Sequence, residues 1–324
     1  MALDLRAITP DDEDVALAAL AQACRAHGSA TGPDREEWLW RMGLNPAGVR
    51  AIGAFDGERL VGQFTAVPRK VWIAAREASF CEWRETFALE RSPGLVREPL
   101  VQRLVEEALR AGAGEDLCLY GLPEGAAWRL ANGRLGFEVV RNQTILVRPR
   151  GEVPVPDGLT IEPLARFDHQ ARWLWDRVCG AFGAGTIRDA DHLNWRFVER
   201  PGVRYERLGV RDENGILRGV AVLRAGEWAG VHAVWMIDWI VPPEEPDVGR
   251  ALLATACNLA RKSGSGQLAA VLPDWSPWFD HFQCAGFRVR PSGRLLAARP
   301  GAKRFHEVWL RDQWWYTLGD FLEL

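Results

Sequence analysis

Apolar residues recur along this chain with two different periods, and the alternation between them predicts its elements. Residues 11–27 and 167–182 carry apolar side chains three and four apart, the spacing of a helix with one buried face. Residues 3–8 and 159–161 read as strands that open each half. Two hairpins come next. Residues 51–55 and 60–67 flank Asp56-Gly57, and residues 207–211 and 216–223 flank Asn214-Gly215, pairs that accept the positive φ of a tight turn. Each half continues with a strand (78–89; 231–241), a glycine-containing loop and a helix (100–111; 249–262). A buried strand (117–120; 268–272), a last helix and a Gly-Phe step into closing strands complete it. Strands outnumber helices and hairpins join them, which predicts α+β architecture with a mixed, mainly antiparallel sheet flanked by helices, twice over.

The two halves are copies of one plan. Trp40-Arg41 before Pro46 has the spacing of Trp195-Arg196 before Pro201. Asp56-Gly57, Val61-Gly62, Glu82-Trp83, Gly94 and Gly136-Phe137 are echoed in order by Asn214-Gly215, Arg218-Gly219, Asp238-Trp239, Gly249 and Gly286-Phe287. The offset stays at about 155 positions, as a tandem duplication requires. The Pro-rich stretch around residues 151–157 reads as the linker, giving domains at 1–150 and 158–303. Residues 304–324, with Trp309, Trp314 and Trp315, are too aromatic for a loose tail and predict an extension packed back on the fold.

Composition narrows the function classes. At 324 residues, 48% hydrophobic and 26% charged, the chain has a globular balance that excludes disorder. Forty basic against 43 acidic side chains, with no basic block, argue against a nucleic-acid partner. No apolar run approaches the roughly 20 residues of a membrane span. The acidic start, with Asp4, Asp11, Asp12, Glu13 and Asp14, is unlike a secretory signal, so a cytoplasmic protein with no membrane partner is expected. The six cysteines form no C-x-x-C pair and the six histidines are dispersed, which predicts packed thiols and no metal.

The informative segment in each half is strand, glycine loop and helix. A helix N-terminus presents unpaired N–H groups and partial positive charge, so small residues there leave room for a pyrophosphate. The second half offers Val248-Gly249-Arg250-Ala251 in this place, and the first offers Arg91, Gly94 and Val96. These runs resemble the acyl-CoA loop of the GNAT family of N-acetyltransferases, whose pattern is Arg or Gln, two residues, Gly, one residue, then Gly or Ala. The Val-Pro-Pro-Glu lead-in at 241–244 and the Leu-Gly-Phe and Ala-Gly-Phe steps at 135–137 and 285–287 are similar to that family too. The resemblance implies two tandem GNAT-like domains. It also implies an acyl-CoA cosubstrate, acetyl-CoA first among them, whose acyl group passes to an amine of a small molecule. The aromatic extension with Trp235, Trp239, Trp275 and Trp278 reads either as hydrophobic filling between two domains or as the wall of a cleft suited to a sugar, an amino sugar among them, or another ligand with an apolar face.

Both copies depart from the pattern. The first places Val96 where a small residue is expected; the second has Pro246 where Arg or Gln is expected but keeps Gly249 and Ala251. The second is therefore the expected donor site, through Ile240, Val241, Val248, Gly249, Arg250 and Ala251, and the first is the degenerate copy.

Acyl transfer from a thioester needs a neutral amine, a polarised carbonyl and a proton for the departing thiolate. The resemblance implies that a backbone N–H near Ile240 or Val241 holds the carbonyl, and that a carboxylate on the same strand is the base. Asp238 fits, with Glu82 as its counterpart. A buried Asp on a strand equally reads as the partner of a loop backbone or an Arg. The family's proton donor is a Tyr four residues before the Gly of Gly-Phe, and here that place holds Phe282 and Asn132. His281, beside Phe282, is the candidate substitute acid, or else a packed helix residue. The missing Tyr leaves a second reading open, a catalytically inactive GNAT-fold ligand-binding protein. Transfer from an aminoacyl-tRNA, known for some tandem GNAT-like proteins, is disfavoured by the acidic balance.

Overall fold

The computed structural model describes residues 3–26, 34–89, 97–112, 116–149, 151, 154, 159–264, 266–301 and 306–324. The first part of the chain forms β1 (Asp4–Ala7), α1 (Glu13–Ala26), α2 (Arg35–Gly43), β2 (Arg50–Asp56), β3 (Arg59–Ile73), β4 (Arg76–Ala88), α3 (Arg97–Ala111), β5 (Asp116–Gly121), α4 (Gly125–Arg134) and β6 (Glu138–Pro149). The plan then repeats with β7 (Thr160–Pro163), α5 (Gln170–Val178), β8 (Ala184–Thr186), α6 (Ala190–Phe197), β9 (Glu206–Arg211), β10 (Leu217–Trp228), β11 (Val231–Ile240), α7 (Pro246–Lys262), β12 (Gln267–Ala270), α8 (Pro277–Cys284) and β13 (Arg288–Pro300). Helix α9 (Glu307–Gln313) and β14 (Trp314–Trp315) follow. Among the described residues no helix is long and apolar enough to cross a membrane.

The chain divides into two compact units: Met1–Lys70 with Ala78–Val139 and Ala297–Glu307, and Val71–Glu77 with Val140–Leu296 and Val308–Leu324. The first unit's sheet runs β1-β2-β3-β4-β5 and ends on the last residues of β13. In it β4 and β5 run parallel, while β1 with β2, β2 with β3 and β5 with β13 are antiparallel. Ala16, Ala19, Leu20 and Ala23 give α1 its predicted buried stripe, packed with Trp38 of α2 on Ile8, Phe55, Leu60 and Phe87. Leu100, Leu104 and Val105 of α3 join Ala131 of α4 and Leu135, just after it, in a separate cluster over Ile52, Val61 and Phe64. Asp34 starts α2 by accepting from the amides of Glu36 at 2.8 Å and Glu37 at 3.3 Å.

The second unit's sheet runs from β13 through β6, β12, β11, β10 and β9 to β7. Here β11 and β12 are the parallel pair, and a bulge between Val222 and Leu223 interrupts the β10–β11 register. Helix α7 lies close on β10. A Cβ at Gly219 would come within 2.5 Å of Val248 Cγ1, so glycine sets that approach.

Three features differ from the sequence expectation. The closing strands trade places: from Val140 onward β6 pairs with β12 in the second unit, while Ala297–Pro300 of β13 pairs with Gly121–Cys118 of β5 in the first. The compact units are thus not residues 1–150 and 158–303, because two copies of one domain offer the same kind of edge and periodicity cannot choose between them. Helix α7 starts at Pro246, a turn before Gly249, since proline lacks only an N–H that the first helical turn leaves unbonded anyway. Short β8 was not expected; it pairs with Val71–Ile73 of β3 and with β14.

The extension is anchored by buried arginines. Arg188 donates from Nη2 to Asp320 at 2.7 Å, from Nη1 to the Thr186 carbonyl at 2.6 Å, and from Nε and Nη2 to the two oxygens of Asp238 at 3.3 Å each. Arg196, of the second Trp-Arg pair, donates to the carbonyls of Gly319, Phe321 and Leu324. Replacing Arg188 by Met leaves two buried carboxylates without a counter-charge. The expected loss is about 3–5 kcal/mol of stability, read as a lowered urea midpoint; an unchanged midpoint would show that the cluster holds nothing together.

Candidate active site

In the second unit β11 and β12 pair at Val234–Met236 with Leu268–Ala270, after which β11 runs on to Ile240 without β12 beside it. A wedge between the carboxyl ends of parallel strands is a common place for a ligand. This wedge holds protein. Trp278, in the first turn of α8, is 1% exposed and donates from Nε1 to the Val241 carbonyl at 2.9 Å. Its ring lies edge-on to Trp239, 5.2 Å between centroids. A Cβ on Gly249 would sit 2.5 Å from Trp278 Cζ3 and closer still to Cη2, so the glycine accommodates an indole.

The other expected donor-binding residues share this closure. Ile240, Val241, Val248 and Ala251 are all buried. Gly249 lies inside α7, and its N–H already donates to the Glu245 carbonyl at 3.3 Å. The side chain of Glu245, the residue before Pro246, takes Arg177 and Arg218 as partners, and Arg250 pairs with Asp247 of its own helix.

Asp238 is buried with both oxygens engaged. Besides Arg188, the Thr317 hydroxyl donates to it at 3.0 Å and so does the backbone N–H of Trp239. Burial works to lower the Arg188 pKa, but Asp238 and Asp320 outweigh it and hold the guanidinium charged well beyond its ordinary range. Of the two readings open for Asp238, the arginine partner is the one these contacts describe. His281 sits elsewhere. It is half-exposed on α8, donates from Nδ1 to the Pro277 carbonyl at 2.7 Å and lies 4.9 Å from the Trp278 ring. No hydrogen bond or ion pair joins it to Asp238 among the described residues. Phe282 is buried between Trp239 and Phe287.

The first unit repeats the divergence and leaves it more open. Strand β4 pairs with β5 up to Glu82 opposite Tyr120, then continues to Ala88. Trp83, Arg84, Glu85 and Thr86, the continuation, are half-buried, whereas their counterparts from Trp239 to Val241 are sealed. Trp128, at the place in α4 that Trp278 occupies in α8, is likewise half-buried. Glu82 is buried against Arg69 and also accepts from Arg84 at 3.3 Å, while Arg69 Nε donates to the Tyr120 hydroxyl at 2.8 Å. Glu85 pairs with Arg41 at 2.8 Å through one oxygen; its other oxygen is buried and without a hydrogen-bond partner. Arg91, Gly94 and Val96 lie outside the described residues. Sequence reasoning missed Arg69, Tyr120, Glu85 and Arg188, although the Trp-Arg echo pointed at Arg41 and Arg196 as shared positions. Among the described residues no group of three or more His, Cys, Asp or Glu is placed to hold a metal ion.

No protein-family model matches the sequence, and no curated protein does. Solved structures do match. A GCN5-related N-acetyltransferase from Anabaena variabilis is similar at TM-score 0.65 and 11% identity, over 93% of this chain and 73% of that one. A tandem GNAT protein from the clavulanic acid biosynthesis pathway is similar at TM-score 0.55 and 16% identity, over 94% of this chain and 100% of that one. Saccharomyces cerevisiae N-myristoyltransferase with bound myristoyl-CoA is similar at TM-score 0.56 and 12% identity, over 92% and 78%. At such identities the likeness establishes the fold, tandem and GNAT-like, and activity has to be argued from the site.

The contact between Gly249 and Trp278 is directly testable. Gly249→Ala should cost about 1–3 kcal/mol by overpacking. In a Trp278→Ala background the same substitution should cost far less, the coupling read from a double-mutant cycle in urea; additive effects would mean that the ring does not fill the space.

Proposed function

We propose that the protein is an acyl-CoA-dependent N-acyltransferase acting on an amine of a small molecule, with its donor site in the first unit rather than the second. The observation that carries the placement is the half-buried run from Trp83 to Thr86 on a strand that has parted from β5, set against the sealed run from Trp239 to Val241. The fold likeness to N-acyltransferases, one of them with myristoyl-CoA bound, supports the reaction class.

The chemistry follows from the parted strand. Among the described residues β4 pairs with β5 no further than Glu82, and a backbone amide of the strand beyond can hold the thioester oxygen as charge develops on it. The carbonyl carbon is then open to the neutral amine, whose lone pair forms the C–N bond as the C–S bond breaks. Glu85 has a carboxylate oxygen to spare for the amine's proton, and Arg41 fixes its other end. The thiolate takes a proton from water, since Asn132 and Phe282 stand at the phenol positions of the family. Acetyl-CoA is the proposed donor, and an amino sugar is the acceptor class to try first. A cytoplasmic setting, where acyl-CoA is made and used, suits this reading.

The alternative is a catalytically silent ligand-binding protein, favoured by Trp278 in the second wedge and by the absent phenol. Titration with acetyl-CoA separates them. An enzyme should gain about 2.7 kcal/mol of stability at a hundredfold excess over Kd, seen as a raised melting temperature, whereas the alternative predicts no shift. Hydrogen exchange with acetyl-CoA present should protect β4 from Trp83 to Ala88. Protection at Ile240 and α7 instead would return the donor to the second unit with Trp278 displaced.

A further inference from the structure

A recess at the other end of α7 has the makings of a ligand site unrelated to acyl transfer. Strand β9 begins with Glu206 opposite Leu223, whereas β10 runs on to Trp228 paired with β11. The notch left beyond the end of β9 opens a cavity of about 580 Å³ beneath the last turn of the helix. That volume falls within the roughly 300–1,000 Å³ of small-molecule sites. Gly249 and Lys262 are 13 residues apart on α7, so the recess end of the helix lies about 20 Å along its axis from Gly249.

Its lining is two-sided. Leu223 and Val234 of the sheet and Leu259 of α7 supply an apolar floor. Arg204, just before β9, and Lys262 of α7 supply cations, against the single carboxylate of Glu206. Neither forms an ion pair among the described residues. The planar fork of Arg204 suits a carboxylate. Lys262, in the last turn, offsets the partial negative charge that a helix C-terminus would turn toward an anion.

We propose that this recess binds a small amphipathic carboxylate, its apolar body on the Leu223–Val234–Leu259 floor and its charged end between Arg204 and Lys262.

Calorimetric titration of the full chain with sodium octanoate, 1-octanol and inorganic phosphate tests both halves of the claim. Octanoate should bind, and octanol and phosphate should each bind about tenfold more weakly or worse, a difference of about 1.4 kcal/mol. The double variant Arg204→Gln/Lys262→Gln should weaken octanoate by a similar factor and keep the wild-type melting temperature and response to acetyl-CoA. No heat with octanoate, equal affinity for octanol, equal affinity for phosphate, or unchanged octanoate binding in the double variant would each overturn the proposal. The recess and the acyl-donor assignment fail separately, because neither readout depends on the other.

Discussion

A fully buried guanidinium is the constraint on which the second unit depends. Arg188 is cut off from water, and taking an ion out of water costs several kcal/mol unless its donors and charge are met. Asp238 on β11, Asp320 in the extension and the Thr186 carbonyl meet them together, and Thr317 closes the ring by donating to Asp238. The arrangement makes the extension part of the fold. Removing Asp320 would strip the cation of its shortest carboxylate contact, so the aromatic residues from Trp314 to Phe321 are fixed by charge as well as by burial.

The same demand shaped the two copies differently. Glu82 and Asp238 are equivalent positions, and each carboxylate is satisfied by a buried arginine, but Arg69 comes from β3 and Arg188 from the segment after β8. A carboxylate at the point where two parallel strands part has to be neutralised in both units, whatever else the copy does. The wedge beyond it is where they diverge. In the second unit an indole, hydrogen-bonded to Val241 and seated on a glycine, makes the wedge part of the core; in the first, the matching tryptophan stays half-buried and the strand keeps contact with solvent. A glycine that a phosphate would need and a glycine that a tryptophan needs look identical in a sequence.

The closing strands add a second lesson about duplication. Residues 140–149 of the first copy and 297–300 of the second each complete the sheet containing the other copy's parallel pair. Antiparallel pairing asks only for an unpaired edge and a matching pleat. Two similar edges in one chain satisfy that equally well, and the local pattern of residues 138–149 is the same in either place.

Local order and its repetition were legible in the sequence by itself. Asp-Gly and Asn-Gly turns, the stripe of alanines and Leu20 on α1, and six ordered landmarks at a constant offset led to two α+β copies and to a GNAT-like fold, because turn conformation and amphipathic period depend on neighbours a few residues apart. Tertiary structure alone decided which strand closes which sheet, that Arg188 pairs with Asp238, and that the Trp278 ring lies against Gly249. Those outcomes depend on residues about 30 to 180 positions apart competing for the same buried space, and burial of polar groups is settled only when every competitor is in place.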